Sequence, residues 1–287
     1  MKELLIFETI RKDAVWGSEY WTVAAHANGD CIVKEGSYKG MSLSELWSSH
    51  RELFGECEGD RFPLLVKVID AAKDLSIQVH PNNAYAAQYE NGSLGKTECW
   101  YIMDSQPGEA IMLGHNASSR AEAETMISEG RWVDFLKKVP IEPGSFVLIN
   151  PGTIHAILGG TKLIEIQQNS DITYRLYDYD RIVDGRKREL HIEKSLDVIE
   201  IPDKSGDGCY NDFPEGGITT PYFKVINYMN DSETKYSFGD DFTIVSVVNG
   251  EGTIDGHVIK SGESLIVPAG YEEAVIEGKM ELLLTSL

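Results

Sequence analysis

The 287-residue chain is poor in cysteine, and this scarcity excludes two kinds of site. Its four cysteines, at positions 31, 57, 99 and 209, are far apart and form no C-x-x-C pair. Because zinc ribbons and redox dithiols are built on such pairs, the sequence favours neither of them. We expect all four cysteines to be reduced and mostly buried thiols.

Long apolar stretches are also missing. No run approaches the roughly 18 apolar residues of a membrane-spanning helix. The first residues lack the apolar segment and small-residue cleavage site that mark a secretory signal. The sequence therefore predicts no membrane partner and a cytoplasmic location.

Basic residues are in the minority. The chain has 26 Lys and Arg against 46 Asp and Glu, so its formal net charge is −20. Nucleic-acid binders gain much of their affinity from basic contacts to phosphates, so we expect no nucleic-acid partner. The same negative charge repels small phosphorylated molecules at long range. A phosphate site would therefore need a few Lys and Arg residues clustered locally.

What the chain does contain is many short apolar runs separated by glycine-rich turns, which predicts a mainly β protein. Its length exceeds the ~100 to 200 residues of a usual domain. We predict a first domain at residues 1–215 and a second, smaller β domain at residues 216–287. A segment rich in Gly, Asp and Pro, residues 201–221, has the composition of a linker between them.

Helical periodicity is confined to two segments. Residues 43–54 have an amphipathic pattern, and a capping-box spacing of Ser and Glu precedes it. Residues 118–139 have two apolar sets with a break near Gly130. In addition, residues 162–168 and 172–179 are predicted to be two strands that form a hairpin.

Two strand-like segments carry polar side chains at alternate positions. Gln78 and His80 are two residues apart, as are Lys96 and Glu98, and side chains two apart on a strand share a face. His155 follows a proline–glycine turn further along the chain. Two imidazoles, a carboxylate and an amide are groups that zinc and similar ions accept as ligands. The sequence therefore predicts a metal site with a lysine beside it.

A weak internal repeat supports a chemical role for His155. Residues 144–155 and 262–273 each contain a glycine turn, an apolar strand and a proline–glycine corner. Where the first copy has His155, the second has a glutamate, Glu272 or Glu273. We therefore expect the second domain to keep the fold without the metal site.

Lys67 interrupts an otherwise apolar run at residues 64–69. A lysine is almost never fully buried unless it is paired, so we expect Lys67 to face a polar cavity or an anion. The alternative is a lysine that extends its ammonium to solvent at a sheet edge. For Lys96, the alternative is a surface ion pair with Glu98.

Five segments in this order resemble the type I mannose-6-phosphate isomerases of the cupin superfamily, in their short bacterial form. The resemblance spans nearly the whole chain and is carried by residues 64–70, 75–81, 95–101, 151–156 and 168–179. It implies two cupin (jelly-roll) β-barrel domains with a small helical insertion in the first.

The resemblance also implies an activity. Such an enzyme is an aldose–ketose isomerase that interconverts mannose 6-phosphate and fructose 6-phosphate through an enediolate. It would bind one zinc ion per subunit, other divalent metals being possible, and its partner is a small sugar phosphate. The implied metal ligands are Gln78, His80, Glu98 and His155.

The implied active site extends beyond the metal ligands. Catalytic roles are expected for Arg175 and Lys96, and a place in the substrate pocket for Lys67, Ser76, Arg181 and Asp171. Arg175 alternates with Thr173 and Tyr177 on a strand, so it could stabilise the negative charge that develops on the substrate oxygens. The alternative is that Arg175 is a surface arginine among neighbouring aspartates.

The catalytic base stays open among Glu165, Asp171, Lys96 and a metal-bound hydroxide. Two other functions are also open. A cupin of another reaction class, such as an iron oxygenase, would accept similar ligands. A non-enzymatic sugar-binding double cupin would use the metal only to hold the fold.

Overall fold

Short strands dominate this computed structural model, which describes residues 3–183 and 185–287, so the predicted mainly β class is confirmed. Up to residue 71 the strands are β1 (Leu5–Ile6), β2 (Ile10–Ala14), β3 (Gly17–Val23), β4 (Ala25–His26), β5 (Gly29–Asp30) and β6 (Leu64–Ala71). From residue 77 to 187 they are β7 (Ile77–Val79), β8 (Glu98–Asp104), β9 (Ala110–His115), β10 (Leu136–Pro140), β11 (Phe146–Ile149), β12 (His155–Ala156), β13 (Thr161–Gln168), β14 (Tyr174–Tyr177), β15 (Ile182–Val183) and β16 (Arg186–Lys187). From residue 209 they are β17 (Cys209–Tyr210), β18 (Ile218–Thr219), β19 (Lys224–Asn230), β20 (Thr234–Ser237), β21 (Thr243–Ile254), β22 (His257–Lys260), β23 (Ser264–Val267) and β24 (Glu273–Ser286).

The helices are short: α1 (Leu43–Ser49), α2 (Asn83–Tyr89), α3 (Arg120–Ser128), α4 (Trp132–Phe135) and α5 (Ile192–Val198). The predicted capping box begins α1, since the Ser42 side chain accepts from the Glu45 backbone and the Glu45 side chain accepts from the Ser42 backbone. A 3-10 turn at Arg51–Leu53 continues the helical segment. Within the described ranges, no helix has both the length and the hydropathy that crossing a membrane requires.

The helix predicted over residues 118–139 extends too far. It breaks at Gly130, as expected, where φ is +67°. However, Leu136–Pro140 is the strand β10, which pairs with β9. The physical reason is that Pro140 biases the preceding residue away from helical geometry, so the segment takes the extended form and completes a sheet.

The predicted hairpin of residues 162–168 and 172–179 is wrong. β13 pairs with β8, whereas β14 pairs with β7 in a different sheet. The chain between them crosses from one sheet to the other, because each strand finds its partner far away in sequence. The predicted linker also contributes a strand, β17, which pairs with β11.

The described residues divide into two units. Unit 1 contains the residues up to Lys12 together with Tyr20–Val68 and Phe213–Leu287. Unit 2 contains Asp13–Glu19 and Ile69–Asp212. Residues 216–287 lie wholly in unit 1, and the candidate metal ligands lie wholly in unit 2. The domain boundary between residues 215 and 216 stays a prediction.

Unit 2 is built on two sheets packed face to face. One has the strand order β10-β9-β12-β7-β14, and the other includes β17-β11-β8-β13. Between them lies an apolar core to which both sheets contribute, with Leu113, Trp100, Val147 and Leu163 among its members. A second apolar cluster covers the outer face of the first sheet, where α3, α4 and α5 pack on β7 and β14.

Unit 1 has one large sheet with the order β1-β23-β21-β24-β19-β18, to which β20 and β22 add at β24 and β21. Its core is a separate apolar cluster that includes Val245, Leu265 and Leu282.

The internal repeat is present in the backbone of both units. In the first copy, Gly144 and Gly152 bracket β11, and in the second, Gly262 and Gly270 bracket β23. All four have positive φ, a conformation that glycine adopts without steric cost. His155 then opens β12, and the residue at its position in the second copy, Glu273, opens β24.

Candidate metal centre

Three neighbouring strands of unit 2 place polar side chains in one row. His155 on β12 lies opposite Gln78 on β7, and Gln78 lies opposite Arg175 on β14. Directly opposed residues of antiparallel strands point to the same face. Because Ile77 and Val79 face the helices, the row faces the interior between the two sheets.

The facing sheet contributes the acidic part of the site. Glu98 begins β8, and on β13 Gln167 lies opposite Glu98 while Glu165 lies opposite Trp100. Trp100 is part of the core between the sheets, so the residues that share its face also point inward. The alternation predicted from sequence therefore brings both sets of polar groups into one interior space.

His80, Glu98 and His155 converge with no exposed surface. The Nε2 atoms of His80 and His155 are 3.1 Å apart. Glu98 Oε1 lies 3.3 Å from His155 Nε2, and Glu98 Oε2 lies 3.6 Å from His80 Nε2. The ligand atoms of all three residues lie within 4.8 Å of one another, as the ligands of one ion do.

The hydrogen bonds of the two histidines set their tautomers. His80 Nδ1 donates to the carbonyl of Ile172 at 2.8 Å, and His155 Nδ1 donates to the carbonyl of Thr153 at 2.9 Å. A carbonyl oxygen can only accept, so each proton is on Nδ1 and each Nε2 carries a lone pair. These lone pairs face each other and the Glu98 carboxylate. Metal-ligating histidines typically donate from the ring nitrogen that is not bound to the metal, as both do here.

The Glu98 carboxylate is the clearest sign that the cluster accommodates a cation. Among the described residues, its Oε1 is buried and has no hydrogen-bond partner. His155 Nε2, 3.3 Å away, is an acceptor as well. Three electron-pair donors that converge in a buried space, with no proton between Glu98 Oε1 and His155 Nε2, fit a divalent ion.

The pKa values of these groups favour the forms that bind metals. Burial and the neighbouring His80 lower the pKa of His155 to about 3, and burial and Lys96 lower the pKa of His80. Burial alone would raise the pKa of Glu98, but the charge of Lys96 and the interactions with His80 and His155 outweigh it and hold the pKa well below its usual range. At neutral pH the cluster is two neutral imidazoles and one carboxylate, the state that coordination requires.

Gln78 lies at the edge of the cluster. Its Nε2 is 3.3 Å from His155 Nε2, and its Oε1 is 3.5 Å from the hydroxyl of the buried Ser76. The oxygen and nitrogen of a side-chain amide are assigned from their hydrogen bonds. A 180° rotation of the Gln78 amide would aim its oxygen at the imidazoles. The amide oxygen is then a fourth available ligand.

Lys96 is buried beside the cluster. Its ammonium contacts the Glu98 carboxylate, lies 3.4 Å from His80 Nε2 and lies 3.8 Å from Glu165 Oε1. Trp100 Nε1 donates to the other Glu165 oxygen at 3.1 Å, which holds that carboxylate in place. The structure therefore places an ammonium and a carboxylate next to the three convergent groups.

Two arginines pair with one buried carboxylate, Asp178, and Arg175 is close enough to interact electrostatically with Asp178 and Arg188. Arg181 Nη1 and Arg188 Nη1 lie 3.6 and 3.5 Å from Asp178 Oδ1. Arg175 Nη1 donates to the Glu189 carbonyl at 2.9 Å, and burial and the charge of Arg188 lower its pKa. Arg188 was not predicted from the sequence. The signal that could have found it is the basic run of residues 186–188 in a strongly acidic chain.

Two further candidates from the sequence are Asp171 and Lys67. Asp171 is exposed, in the segment that joins β13 to β14. Lys67 belongs to unit 1, where it is 6% exposed and its Nζ lies 5.4 Å from the Trp21 ring centroid, within cation–π range. A role for either residue at the substrate stays a prediction.

Two protein-family models together match most of the chain. A model for the phosphomannose isomerase type I catalytic domain matches residues 9–112. A model for the mannose-6-phosphate isomerase cupin domain matches residues 217–287, which confirms the cupin assignment there.

Curated relatives and solved structures are similar to the chain over most or all of its length. Mannose-6-phosphate isomerase ManA of Bacillus subtilis is 43% identical over 99% of both chains. A mannose-6-phosphate isomerase of Streptococcus mutans is 42% identical, over 92% of this chain and 87% of its own. The crystal structure of a mannose 6-phosphate isomerase from Bacillus subtilis superposes with a TM-score of 0.93 at 36% identity, covering 100% of both chains.

Proposed function

The chain belongs to the type I phosphomannose isomerase family and interconverts mannose 6-phosphate and fructose 6-phosphate, and from this premise we propose that it uses one zinc ion per subunit. Membership of this family implies a divalent metal. Zinc is supported by the ligand types, since imidazole nitrogen and carboxylate oxygen are the zinc ligands of many catalytic sites. Other divalent ions accept the same groups, so metal supply in the cell also matters.

The residues proposed to hold the metal are Gln78, His80, Glu98 and His155. The observation that carries this proposal is the convergence of two buried Nε2 lone pairs on a buried carboxylate oxygen that lacks a hydrogen-bond partner among the described residues. A bound divalent ion would polarise the substrate carbonyl and align it with the neighbouring hydroxyl.

The isomerisation moves a proton between C1 and C2, and several side chains could carry it. Lys96 and Glu165 are both buried and lie 3.8 Å apart beside the ligand cluster, whereas Asp171 is exposed. This placement favours the first two over Asp171. We propose Lys96 as a catalytic group whose ammonium donates to a substrate oxygen as the enediolate forms, with Glu165 next to it.

Arg175 is proposed to stabilise the same negative charge from the other sheet. It lies opposite Gln78 on the next strand, on the face that points between the sheets. Its Nε is buried and has no hydrogen-bond partner in the described part of the chain, so one donor is available to an anionic oxygen. Stabilisation of developing charge is commonly the largest contribution to such catalysis.

The substrate phosphate is proposed to bind at the arginine cluster formed by Arg181 and Arg188. Their two guanidinium groups outnumber the single Asp178 carboxylate and leave a local positive charge in a chain whose net charge is −20. Arg181 also donates to the Asp74 carbonyl at 2.5 Å, and its Nη1 has no hydrogen-bond partner among the described residues. The paired N–H groups of a guanidinium match the spacing of two phosphate oxygens. Ser76, buried beside Gln78, would lie between this cluster and the metal ligands.

We also propose that the enzyme works in the cytoplasm, where thiols stay reduced. The described cysteines support this, since Cys31, Cys57, Cys99 and Cys209 are all free.

The experiment is a coupled assay of the purified, zinc-loaded protein in both directions. We expect mannose 6-phosphate and fructose 6-phosphate to be interconverted without consumption of oxygen. Failure to convert either sugar phosphate would overturn the proposal. Family membership disfavours the oxygenase and the non-enzymatic alternatives, and oxygen uptake with another substrate would favour the first of them.

A further inference from the structure

Gln167 is a buried polar residue that the proposed mechanism does not use. Its side chain has no exposed surface, and among the described residues its Oε1 has no hydrogen-bond partner. Its Nε2 donates to the carbonyl of Gln168 at 2.9 Å and to the carbonyl of Ser170. Because two carbonyls occupy the amide nitrogen, the amide cannot turn over without losing both bonds. The position of Oε1 is therefore set, and it is a buried acceptor in need of a donor.

The strand register places this acceptor beside the metal cluster. Gln167 on β13 lies directly opposite Glu98 on β8, so both side chains are on the inward face. Lys96 precedes Glu98 by two residues and reaches the same space, where its ammonium contacts Glu98. Residues in this diagonal relation across two strands are within reach of a long side chain.

The present contacts of Lys96 compete with metal binding. Its ammonium lies against Glu98 and 3.4 Å from His80 Nε2, and both of these groups are proposed ligands. A lone pair that coordinates the metal ion cannot also accept a hydrogen bond from Lys96. In addition, the positive charges of the ion and of the ammonium repel each other at such distances. The ammonium then needs other acceptors, and Glu165 Oε1 at 3.8 Å can supply only part of its three-donor capacity.

We infer that Gln167 is a positioning residue for Lys96, whose ammonium donates to Gln167 Oε1 when the ligand cluster holds its ion. The inference rests on the proposed function, because it assumes a metal at His80 and Glu98. With Glu165 on one side and Gln167 on the other, the ammonium is held at a fixed point beside the substrate oxygens. Gln167 thus acts through Lys96 rather than on the substrate.

The kinetic test is Gln167→Met, which keeps the length of the side chain and removes the acceptor. We expect kcat to fall about tenfold, with KM within about twofold of the wild type and zinc content unchanged, because only the placement of a donor to the substrate oxygens is altered. The matched control is Thr161→Val on the same strand, which also removes a buried oxygen that lacks a hydrogen-bond partner among the described residues. We expect its kcat to equal that of the wild type. An unchanged kcat in Gln167→Met would overturn the inference, as would an equal loss in Thr161→Val.

A second measurement does not depend on activity or on the folding of a variant. In a crystal structure of the zinc-loaded wild-type protein, Lys96 Nζ should lie within about 3.2 Å of Gln167 Oε1. A separation beyond hydrogen-bond range would overturn the inference. An absence of isomerase activity in the wild type would instead overturn the proposed function, while this distance could still be measured.

Discussion

Arg175 lies directly across from Gln78 on adjacent antiparallel strands, and both side chains are on the same face of the sheet. Since Gln78 lies in turn opposite His155, the arginine is one strand away from an end of the metal cluster. This register joins the proposed metal ligands to the proposed charge-stabilising arginine without a loop between them. The position of Arg175 relative to the metal ligands is therefore set by backbone hydrogen bonds.

Replacement of Arg175 by Ala should reduce kcat by about 100-fold or more, because a preorganised donor to the developing oxyanion is lost. Zinc content should stay at the wild-type level, since no metal ligand is removed. Arg186→Ala, at an exposed position on β16, is the control and should leave both quantities unchanged. Wild-type turnover in the Arg175 variant would show that this arginine has no part in the reaction.

Replacement of Arg188 by Gln should raise the KM for mannose 6-phosphate about tenfold, because a charge-assisted bond to the phosphate is lost. We expect kcat to change less than KM. The neighbouring Lys187→Gln is the control, since Lys187 is exposed and pairs with Asp180 at 2.5 Å on the surface. Equal KM values in the two variants would remove Arg188 from the phosphate site.

The metal-free protein should lose stability as the pH falls below about 6.5, and His155 contributes to this loss. The pKa of His155 is lowered from 6.5 to about 3 in the folded state, so only the unfolded chain takes up a proton between these values. The folded state binds fewer protons, and the free energy of unfolding therefore decreases as the pH falls through this range.

Between pH 7.5 and 5.5, protonation of His155 in the unfolded chain should lower the free energy of unfolding by about 1 kcal/mol. Denaturant unfolding of the metal-free wild type and of His155→Gln at the two pH values measures the difference. The variant should show the smaller decrease. Identical pH dependence in both proteins would contradict the lowered pKa.

Glu273, which occupies the position of His155 in the second copy, should have no role in metal binding. It forms a 2.8 Å pair with Lys235, and the two side chains are 44% and 68% exposed. Exposed pairs of this kind contribute little to stability. Glu273→Gln should therefore leave the zinc content, the turnover and the unfolding midpoint unchanged. Loss of zinc in this variant would show that the second copy also binds metal.

Local sequence patterns were sufficient to predict much of the polar arrangement. The two-residue spacing of Gln78 with His80 and of Lys96 with Glu98 is a strand signal, and the structure brings these four side chains together with His155. The mainly β class followed from glycine-punctuated apolar runs. Strand periodicity is a property of a few adjacent residues, so it can be recognised in a single sequence.

What could not be predicted depends on contacts between distant residues. The pairing of β14 with β7 rather than β13 is set by the sheet as a whole, and neither strand contains a signal for it. Helices α2 and α5 are as short as α1, but they lack the capping box that marked the start of α1 in the sequence. Arg188 lies in a basic run that the sequence shows, but only the fold brings it to Asp178.

The central claim, a metal-dependent isomerase with its ion at His80, Glu98 and His155, is tested most directly by a zinc titration. The chelated protein would be titrated with zinc while isomerisation of mannose 6-phosphate is followed, with His80→Ala and His155→Ala alongside. His50→Ala, in a different part of the chain, serves as the control. We predict that the metal-free wild type is inactive, that activity returns in full at one zinc per subunit, and that His80→Ala and His155→Ala bind less zinc and stay inactive. Full activity in the metal-free protein, or full zinc binding in either of these two variants, would contradict the claim.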